Sequence, residues 1–504
     1  MPEWLAWPVL VVTAATLAFL LPFALHRTSL LFLARRGRPE FSDWLDPLPP
    51  VTVQLPVFNE AAVVERLIDA AAGLDYPTEL LDIQLLDDST DETTELAARR
   101  VEHWRRRGIG ISHIRRPERV GFKAGALASG MEEARGDFIL ILDADFVPAR
   151  DLIHRLLGPF RDPSVGVVQA RWDHLNEDSS LFTRCQALLL DGHFFLEQGG
   201  RWASGRFMNF NGTAGMWRRS ALEDAGGWSA DTLTEDVDAS YRAQMAGWRF
   251  VFRQAIGVPA EIPEEVRALE VQQKRWSQGG IQTGRKILPS LLRGPWSLAV
   301  KGEAVAHLMG HLAHPVTLLL GILLLPSALA RRTLGLEGFF FLDLLVFVVA
   351  TFSFLVFFCT AGRRRHRPWV TLVPTAALTM ALGIGLTATV SRAVVRGLLR
   401  RSADPFLRTP KRGAGGVRYL SPTARVDLAW KVGLAGWMLL CAVVAVREGL
   451  FMTLPFLALF GTGYAWLALG EVRDILKGGD RETATGRPPV DLDVDGDLRI
   501  LARS

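Results

Sequence analysis

Cysteine is nearly absent from this chain: three residues in 504, Cys185, Cys359 and Cys441, far apart in sequence. That excludes a disulfide framework, and none of the three stands in a CxxC or Cys/His spacing of a zinc site. Charge of one sign is equally scarce, since 57 Lys+Arg against 53 Asp+Glu leave a formal net charge of +4. So small an excess does not mark a nucleic-acid binder despite the basic pI of 9.1, and no nucleic-acid partner is expected. Glycine (46) and proline (27) stay near ordinary frequencies, which excludes low-complexity and fibrous classes. What the chain does have is apolar length: 49% hydrophobic residues and a positive mean hydropathy of +0.18, too much for a purely soluble protein and too long a chain for one domain.

The apolar residues are concentrated at both ends. Ala6 to Leu25 is a run of about twenty residues without a charge, the length that spans a hydrocarbon core. A secretory signal is the rival reading, but its leader MPEW has no positive charge and no cleavage pattern follows. The basic residues His26, Arg27, Arg35, Arg36 and Arg38 come next, so the positive-inside rule puts the amino terminus outside and the following residues in the cytoplasm. Further spans are expected at Gly310–Ala330, Phe339–Thr360, Leu428–Val446 and Phe451–Leu469. Trp369–Val390 is apolar too, but it lies between the basic clusters GRRRHRP (362–368) and RAVVRGLLRR (392–401). With both clusters cytoplasmic it makes no single crossing and is re-entrant or interfacial; five crossings then leave the tail in the cytoplasm. That tail, from Lys477 on, is poorly hydrophobic and is expected to be mobile; its DLDVDGD lacks the flanking helices and distal Glu of a calcium loop.

Between the apolar ends, residues 50 to about 290 alternate short apolar runs, VTVQLPV (51–57), IQLLDDS (83–89) and FILILDADF (138–146), with helix-period charged stretches such as 61–72 and 91–107. This is an α/β pattern of buried parallel strands and helical crossovers. Ligands in such sheets bind beyond the carboxyl ends of the strands. Acidic residues gather there: Asp87, Asp88 and Asp91 after one run, Asp143 and Asp145 after another. Alternating carboxylates reach one face only if the chain turns at the strand end, and oxygen-only ligands suit Mg²⁺ or Mn²⁺ on a diphosphate. For either cluster alone, helix capping is as good an explanation; both together, each after an apolar strand, favour a site. Thr234, Glu235, Asp236 and Asp238 open a further helical stretch, and VQQKRW (271–276) combines amides, cations and an indole that can hold a diphosphate and a sugar, or else anchor a helix at a membrane surface.

Asp88, Asp143-x-Asp145, Thr234-Glu235-Asp236 and Gln272-x-x-Arg275-Trp276 stand in the order D, DxD, TED, QxxRW. The chain resembles the processive, inverting family-two glycosyltransferases. Together with QLPVFNE (54–60), GFKAGAL (121–127), VQARW (168–172), FNGTAGMWR (210–218) and AGGW (225–228), it is most similar to the cellulose synthase-like A and C groups, makers of β-1,4-mannan or glucomannan and of the xyloglucan backbone. The resemblance covers residues 50 to 290 densely. It implies a GT-A-type nucleotide-sugar-binding α/β domain inserted between transmembrane helices, and an enzyme that moves hexosyl units from UDP-glucose or GDP-mannose to a growing β-1,4 polysaccharide. It also implies roles. Asp236 is the general base, with Glu235 beside it; Pro56, Asn59, Glu60, Asp88, Lys123 and Asp143 hold the nucleotide sugar; Asp143 and Asp145 hold the metal. Gln272 and Arg275 bind the diphosphate, and Phe210, Asn211, Gly212, Thr213 and Trp276 bind the acceptor. FLRTPKRG (406–413) resembles the gating loop of cellulose synthases through Phe406, Thr409 and Lys411, but has Arg408 where Val is usual; a basic lipid-binding loop is the alternative.

The expected organisation is an amino-terminal helix and basic linker (1–40), a cytoplasmic catalytic domain with an interfacial helix (41–300), carboxyl-terminal membrane and interface helices including the gating-like loop 402–416 (301–472), and a cytoplasmic tail (473–504), in a plasma or inner membrane. Two other functions compete. A non-processive enzyme that makes a membrane glycolipid keeps the same catalytic residues. A hydrolase or a transporter does not need an Asp-x-Asp beside a base pocket, and the apolar spans show no repeat and only sparse charges, such as Asp343 and Lys431.

Overall fold

The computed structural model describes residues 1–36, 41, 45–399, 424–485, 490–492 and 498–500. The gating-like loop, with Phe406, Thr409 and Lys411, lies outside the described residues.

The three apolar runs form strands. Val51–Val57 is β1, Leu81–Asp87 is β2 and Phe138–Ile141 is β4; Ile111–Arg115 (β3), Val165–His174 (β5), Gly215–Arg218 (β6) and Arg249–Ala260 (β7) complete one sheet in the order β3-β2-β1-β4-β6-β5-β7. Pairs β3-β2, β2-β1, β1-β4 and β5-β7 are parallel, while β6 runs antiparallel to both neighbours. The strands are apolar on both faces because helices cover both. One face packs Val53, Leu55, Ile83 and Leu140 under the helices Val64–Ala72 and Thr93–Arg105; the other packs Ile139, Ile141, Phe210 and Trp217 under the helix Glu235–Met245.

Apolar helices flank this domain on both sides in sequence. Among the described residues, five are long and apolar enough by length and composition to cross a membrane: Glu3–Leu33, Gly310–Thr333, Trp369–Leu399, Arg425–Arg447 and Phe451–Leu476. Phe340–Arg364 is a sixth long apolar helix. Trp369–Leu399 is one unbroken helix of 31 residues, about 46 Å long, so it is not a re-entrant loop. Its length and composition make it a candidate span, and it carries ion pairs and hydrogen bonds near both ends. Before its first turn, Arg365 pairs with Asp173 and Asp191, and Arg367 with Glu177 and Asp191, all on the sheet domain. In its last turns the Gly397 carbonyl accepts from Arg285 on the helix Val266–Arg293, and Arg392 pairs with Asp427. The helix is thus tied to the sheet domain before its first turn, and in its last turns to the helix Val266–Arg293 and to the apolar helix Arg425–Arg447. The last helix, Leu454–Thr485, runs past the Leu469 at which the sequence pattern ends the span.

Candidate functional site

A cleft opens beyond the carboxyl ends of β1, β2 and β4. The chain reaches it by turning where the strands stop. At β4 the peptide N–H of Phe146 donates to the Asp143 carbonyl at 3.1 Å, closing a turn around Ala144-Asp145 that brings both carboxylates to the cleft wall. Asp143 is held from two sides. Its backbone N–H donates to the Thr213 hydroxyl (2.8 Å), and its Oδ1 accepts from Lys123 Nζ (2.6 Å). Lys123 also donates to the Gly212 carbonyl at 2.9 Å and stands 4.0 Å from Glu235. Burial opposes its charge, yet Asp143 and Glu235 outweigh burial and hold its pKa above the ordinary lysine value.

Asp236 sits in the first turn of the helix Glu235–Met245, its Oδ1 accepting from the Val237 N–H at 2.9 Å. Gly212, in the left-handed region at φ 78°, lets the loop pass close by, since a Cβ there would stand 3.1 Å from Asp236 Oδ2. Burial, then the neighbouring Glu235 charge, raise the Asp236 carboxyl to about 7, with Lys123 opposing them. A carboxylate poised near neutrality in a cleft is suited to accept a proton there.

The third wall is the helix Val266–Arg293, which carries Gln272, Arg275 and Trp276 into the cleft. It docks on the acidic loop through Gly279, where a Cβ would lie 2.6 Å from the Thr234 methyl and 2.9 Å from its backbone nitrogen. Burial lowers the Arg275 pKa, and Glu235, Asp143 and Asp236 act against burial. Trp276 faces Trp172 at 6.2 Å between ring centroids, so two indoles flank the same space.

The carboxylates predicted after β2 divide by role. Asp88 lines the cleft with both oxygens held by Arg116, and Arg119 stands 4.0 Å away, stacked over Phe58. Asp87 points inward, paired with His113 at 2.9 Å, and Asp91 caps the following helix at the Thr93 N–H. Pro56, Glu60, Asn211 and Gly212 line the cleft with the residues above. Asn59, Phe210 and Thr213 do not. Asn59 is spent on Thr90, Phe210 is fully buried against Trp217 and Trp228, and Thr213 is fully buried under Asp143. They support the wall from behind instead of forming it. The sequence reading missed Phe58, Arg119, Trp172 and His174, and also Leu382 and Leu386, which the helix Trp369–Leu399 brings to the cleft. Trp172 lies within the VQARW motif, which was the available signal.

Among the described residues, no group of three or more His, Cys, Asp or Glu encloses a metal ion. Asp143 and Asp145 nonetheless fit a hard divalent cation of the Mg²⁺ or Mn²⁺ kind. These ions are commonly held by one or two carboxylates, with substrate phosphate and water completing the shell.

Residues 49–279 match the family model described as "Glycosyltransferase like family 2". Over these residues, somewhat under half of the chain, the sequence is similar to that family. The chain is 41% identical over 251 residues to glucomannan 4-beta-mannosyltransferase 2 of Arabidopsis thaliana, a match covering 49% of this chain and 47% of that one. It is 39% identical over 276 residues to glucomannan 4-beta-mannosyltransferase 1 of Oryza sativa subsp. japonica, covering 51% and 53%. It thus spans about half the length of the curated relatives it matches. Among solved structures, a mannosyltransferase from Pyrobaculum calidifontis, in complex with GDP-Man and Mn²⁺, aligns over 78% of this chain and 99% of its own at 21% identity and a TM-score of 0.51. That likeness is one of fold, and the fold is GT-A-like, with a mostly parallel sheet.

Proposed function

We propose that this chain is a membrane-embedded inverting hexosyltransferase that adds hexosyl units from a nucleotide sugar to a β-1,4-linked polysaccharide. The observation that carries the reading is the meeting of Asp143–Lys123, Asp236 and Arg275–Trp276 in one cleft of a family 2-like domain. The base and ribose sit against Pro56, Glu60, Asp88 and Arg119, and Lys123, Gln272 and Arg275 bind the diphosphate. Asp143 and Asp145 hold Mg²⁺ or Mn²⁺, which when bound neutralises diphosphate oxygens and favours departure of the nucleoside diphosphate.

Asp236 removes the proton of an acceptor hydroxyl. The oxygen forms its bond to the anomeric carbon from the face opposite the diphosphate, while the carbon–oxygen bond to the diphosphate breaks and the nucleotide leaves with the electron pair. One displacement turns an α-linked donor into a β-linked product. Glu235, 4.0 Å from Lys123, keeps the Asp236 proton affinity high by its charge. Trp276 and Trp172 provide ring faces for the acceptor, with Asn211 and Gly212 beside the base.

The names of the relatives favour a mannosyl donor, GDP-mannose, with UDP-glucose as the alternative. We place the amino-terminal helix and linker at 1–40, the catalytic domain at 41–300, the carboxyl-terminal membrane and interface helices at 301–472 and the tail at 473–504. The catalytic domain faces the cytoplasm of a plasma or inner membrane, as the basic residues at 26–38 and 362–368 favour. Five crossings result when Phe340–Arg364 spans and Trp369–Leu399 lies at the interface, the arrangement that the ion pairs at its ends favour. Growth on a polysaccharide, coupled to export, is preferred over a membrane-lipid acceptor because the two indoles make a platform for sugar rings. Purified protein given GDP-mannose or UDP-glucose with a divalent cation tests this: polymer formation supports it, and failure to transfer from either donor overturns it.

A further inference from the structure

Asn211 lines the cleft, and its side chain is held by both ends of a single π-helical turn, His193–Gln198. Such turns inside α-helices are rare and cluster at functional sites. Gln198 is fully buried and its Nε2 lies 2.6 Å from the Asn209 carbonyl and 2.9 Å from Asn211 Oδ1. A backbone carbonyl only accepts, so the Gln198 amide must point its NH₂ this way. Its second N–H then donates to Asn211 Oδ1, and the NH₂ of Asn211 faces His193 Nε2 at 2.9 Å. An amide NH₂ only donates, so His193 Nε2 is the bare, accepting nitrogen. Its proton is therefore on Nδ1, which donates to Glu197 Oε2 at 3.1 Å. One backbone carbonyl thus sets the polarity of every bond in the chain.

Glu197 is fit to end that chain. Although burial pushes its carboxyl up, the His193 hydrogen bond and the Arg201 guanidinium, 3.6 Å away, hold it well below the usual carboxylate range. Arg201 is in turn fixed by Glu303 at 3.0 Å. The Asn211 backbone is pinned as well, its N–H donating to Gln169 Oε1 at 2.9 Å. After these bonds the Asn211 amide retains one N–H and one carbonyl lone pair. Asn211, the neighbouring Gly212 and Asp236 line the same cleft, and a Cβ on Gly212 would stand 3.1 Å from Asp236 Oδ2, so the loop that carries the Asn211 amide runs past the proposed base.

We propose that Glu197, His193 and Gln198 are positioning residues that lock Asn211 so that its amide binds a hydroxyl of the acceptor sugar next to Asp236. This rests on the glycosyltransferase reading and names the device that orients the acceptor within it. Loss of Asn211 then weakens acceptor use and leaves the donor alone, and loss of His193 acts only through Asn211.

The test is a double-mutant cycle on the full chain in nanodiscs, with GDP-mannose or UDP-glucose as donor and a β-1,4-linked oligosaccharide as acceptor. Asn211→Ala and His193→Ala are each expected to lower kcat/KM for acceptor roughly tenfold, about the worth of one hydrogen bond, with the donor KM within about twofold of the native value. The double variant should be no worse than Asn211→Ala alone, and His193→Gln, which retains an acceptor atom, should recover most of the loss. If His193→Ala does not fold, Glu197→Gln takes its place in the cycle. Losses that multiply, or that fall equally on the donor KM, in a protein whose native form transfers sugar overturn this inference alone. A native protein that transfers from neither donor overturns the glycosyltransferase reading and this inference with it.

Discussion

Asp236 is the residue on which the proposed reaction turns, and its environment gives it a measurable signature. With its carboxyl raised to about 7, the group is protonated and cannot serve as a base in acid. The account predicts that kcat/KM rises with pH through an acid limb near 7, and a profile flat between pH 5.5 and 8 contradicts the assignment. Asp236→Asn should lower transfer by roughly 10²–10⁴-fold while nucleotide affinity, measured by calorimetry, stays close to native. The same shift has a stability consequence. A carboxyl whose folded value lies above its unfolded value of ~3.9 favours the folded state while protonated and loses that contribution as pH rises through about 7. The Asn variant should therefore melt above the native protein at pH 8 and converge with it as pH falls toward 4. Residues of this kind were legible in the sequence because their identity carries the chemistry: the Asp-x-Asp and Thr-Glu-Asp runs follow strands or open a helix. His193 and Glu197 were not legible, because the role proposed for them rests on His193 meeting Asn211, with Glu197 behind it, across a gap in the chain that no periodicity marks.

At the scale of elements, the helix Val266–Arg293 joins the cleft to the membrane helices. One side of it presents Gln272, Arg275 and Trp276, while Glu270 pairs with the fully buried Lys431 at 2.6 Å, and Lys431 also pairs with Glu471. Removing Lys431 takes the cation from buried Glu270 and leaves Glu471 with Arg267 alone, at 2.9 Å, a loss of about 3–5 kcal/mol for a broken buried pair. Lys431→Met should lower the unfolding temperature and reduce transfer together. A Lys431→Met/Glu270→Gln double variant, which removes the cation with the carboxylate it alone holds and leaves Glu471 paired with Arg267, should recover stability, and failure of that recovery counts against the ion-pair explanation. The strands show what periodicity can and cannot supply. VTVQLPV was legible to the residue because an apolar run between polar turns defines a buried strand, and β1 is Val51–Val57. The interfacial course proposed for Trp369–Leu399 rests on Arg365 and Arg367 meeting Asp173, Glu177 and Asp191 nearly two hundred positions earlier. The basic clusters at its two ends favour that course and hydropathy favours a crossing, and the contacts that bear on the choice are too distant in sequence for any periodicity to mark them.

For the whole molecule, the arrangement proposed is a sheet domain seated on a small set of crossing helices, with Trp369–Leu399 lying between them and the cleft. Its ends should then be accessible from one side only. The native cysteines at 185, 359 and 441 are all buried, so single cysteines placed at the exposed positions Trp369 and Leu399 can be read against a low background. In sealed vesicles, a membrane-impermeant maleimide should label Trp369→Cys and Leu399→Cys from the same face, and labelling from opposite faces would show that the helix crosses. The most direct test of the central claim is product analysis: purified protein in nanodiscs with Mg²⁺ or Mn²⁺, offered radiolabelled GDP-mannose and UDP-glucose separately, with the products digested by linkage-specific glycanases. The account predicts an insoluble product that a β-1,4-mannanase or glucanase degrades. A short labelled glycolipid that partitions into organic solvent would contradict it while leaving the catalytic residues in place.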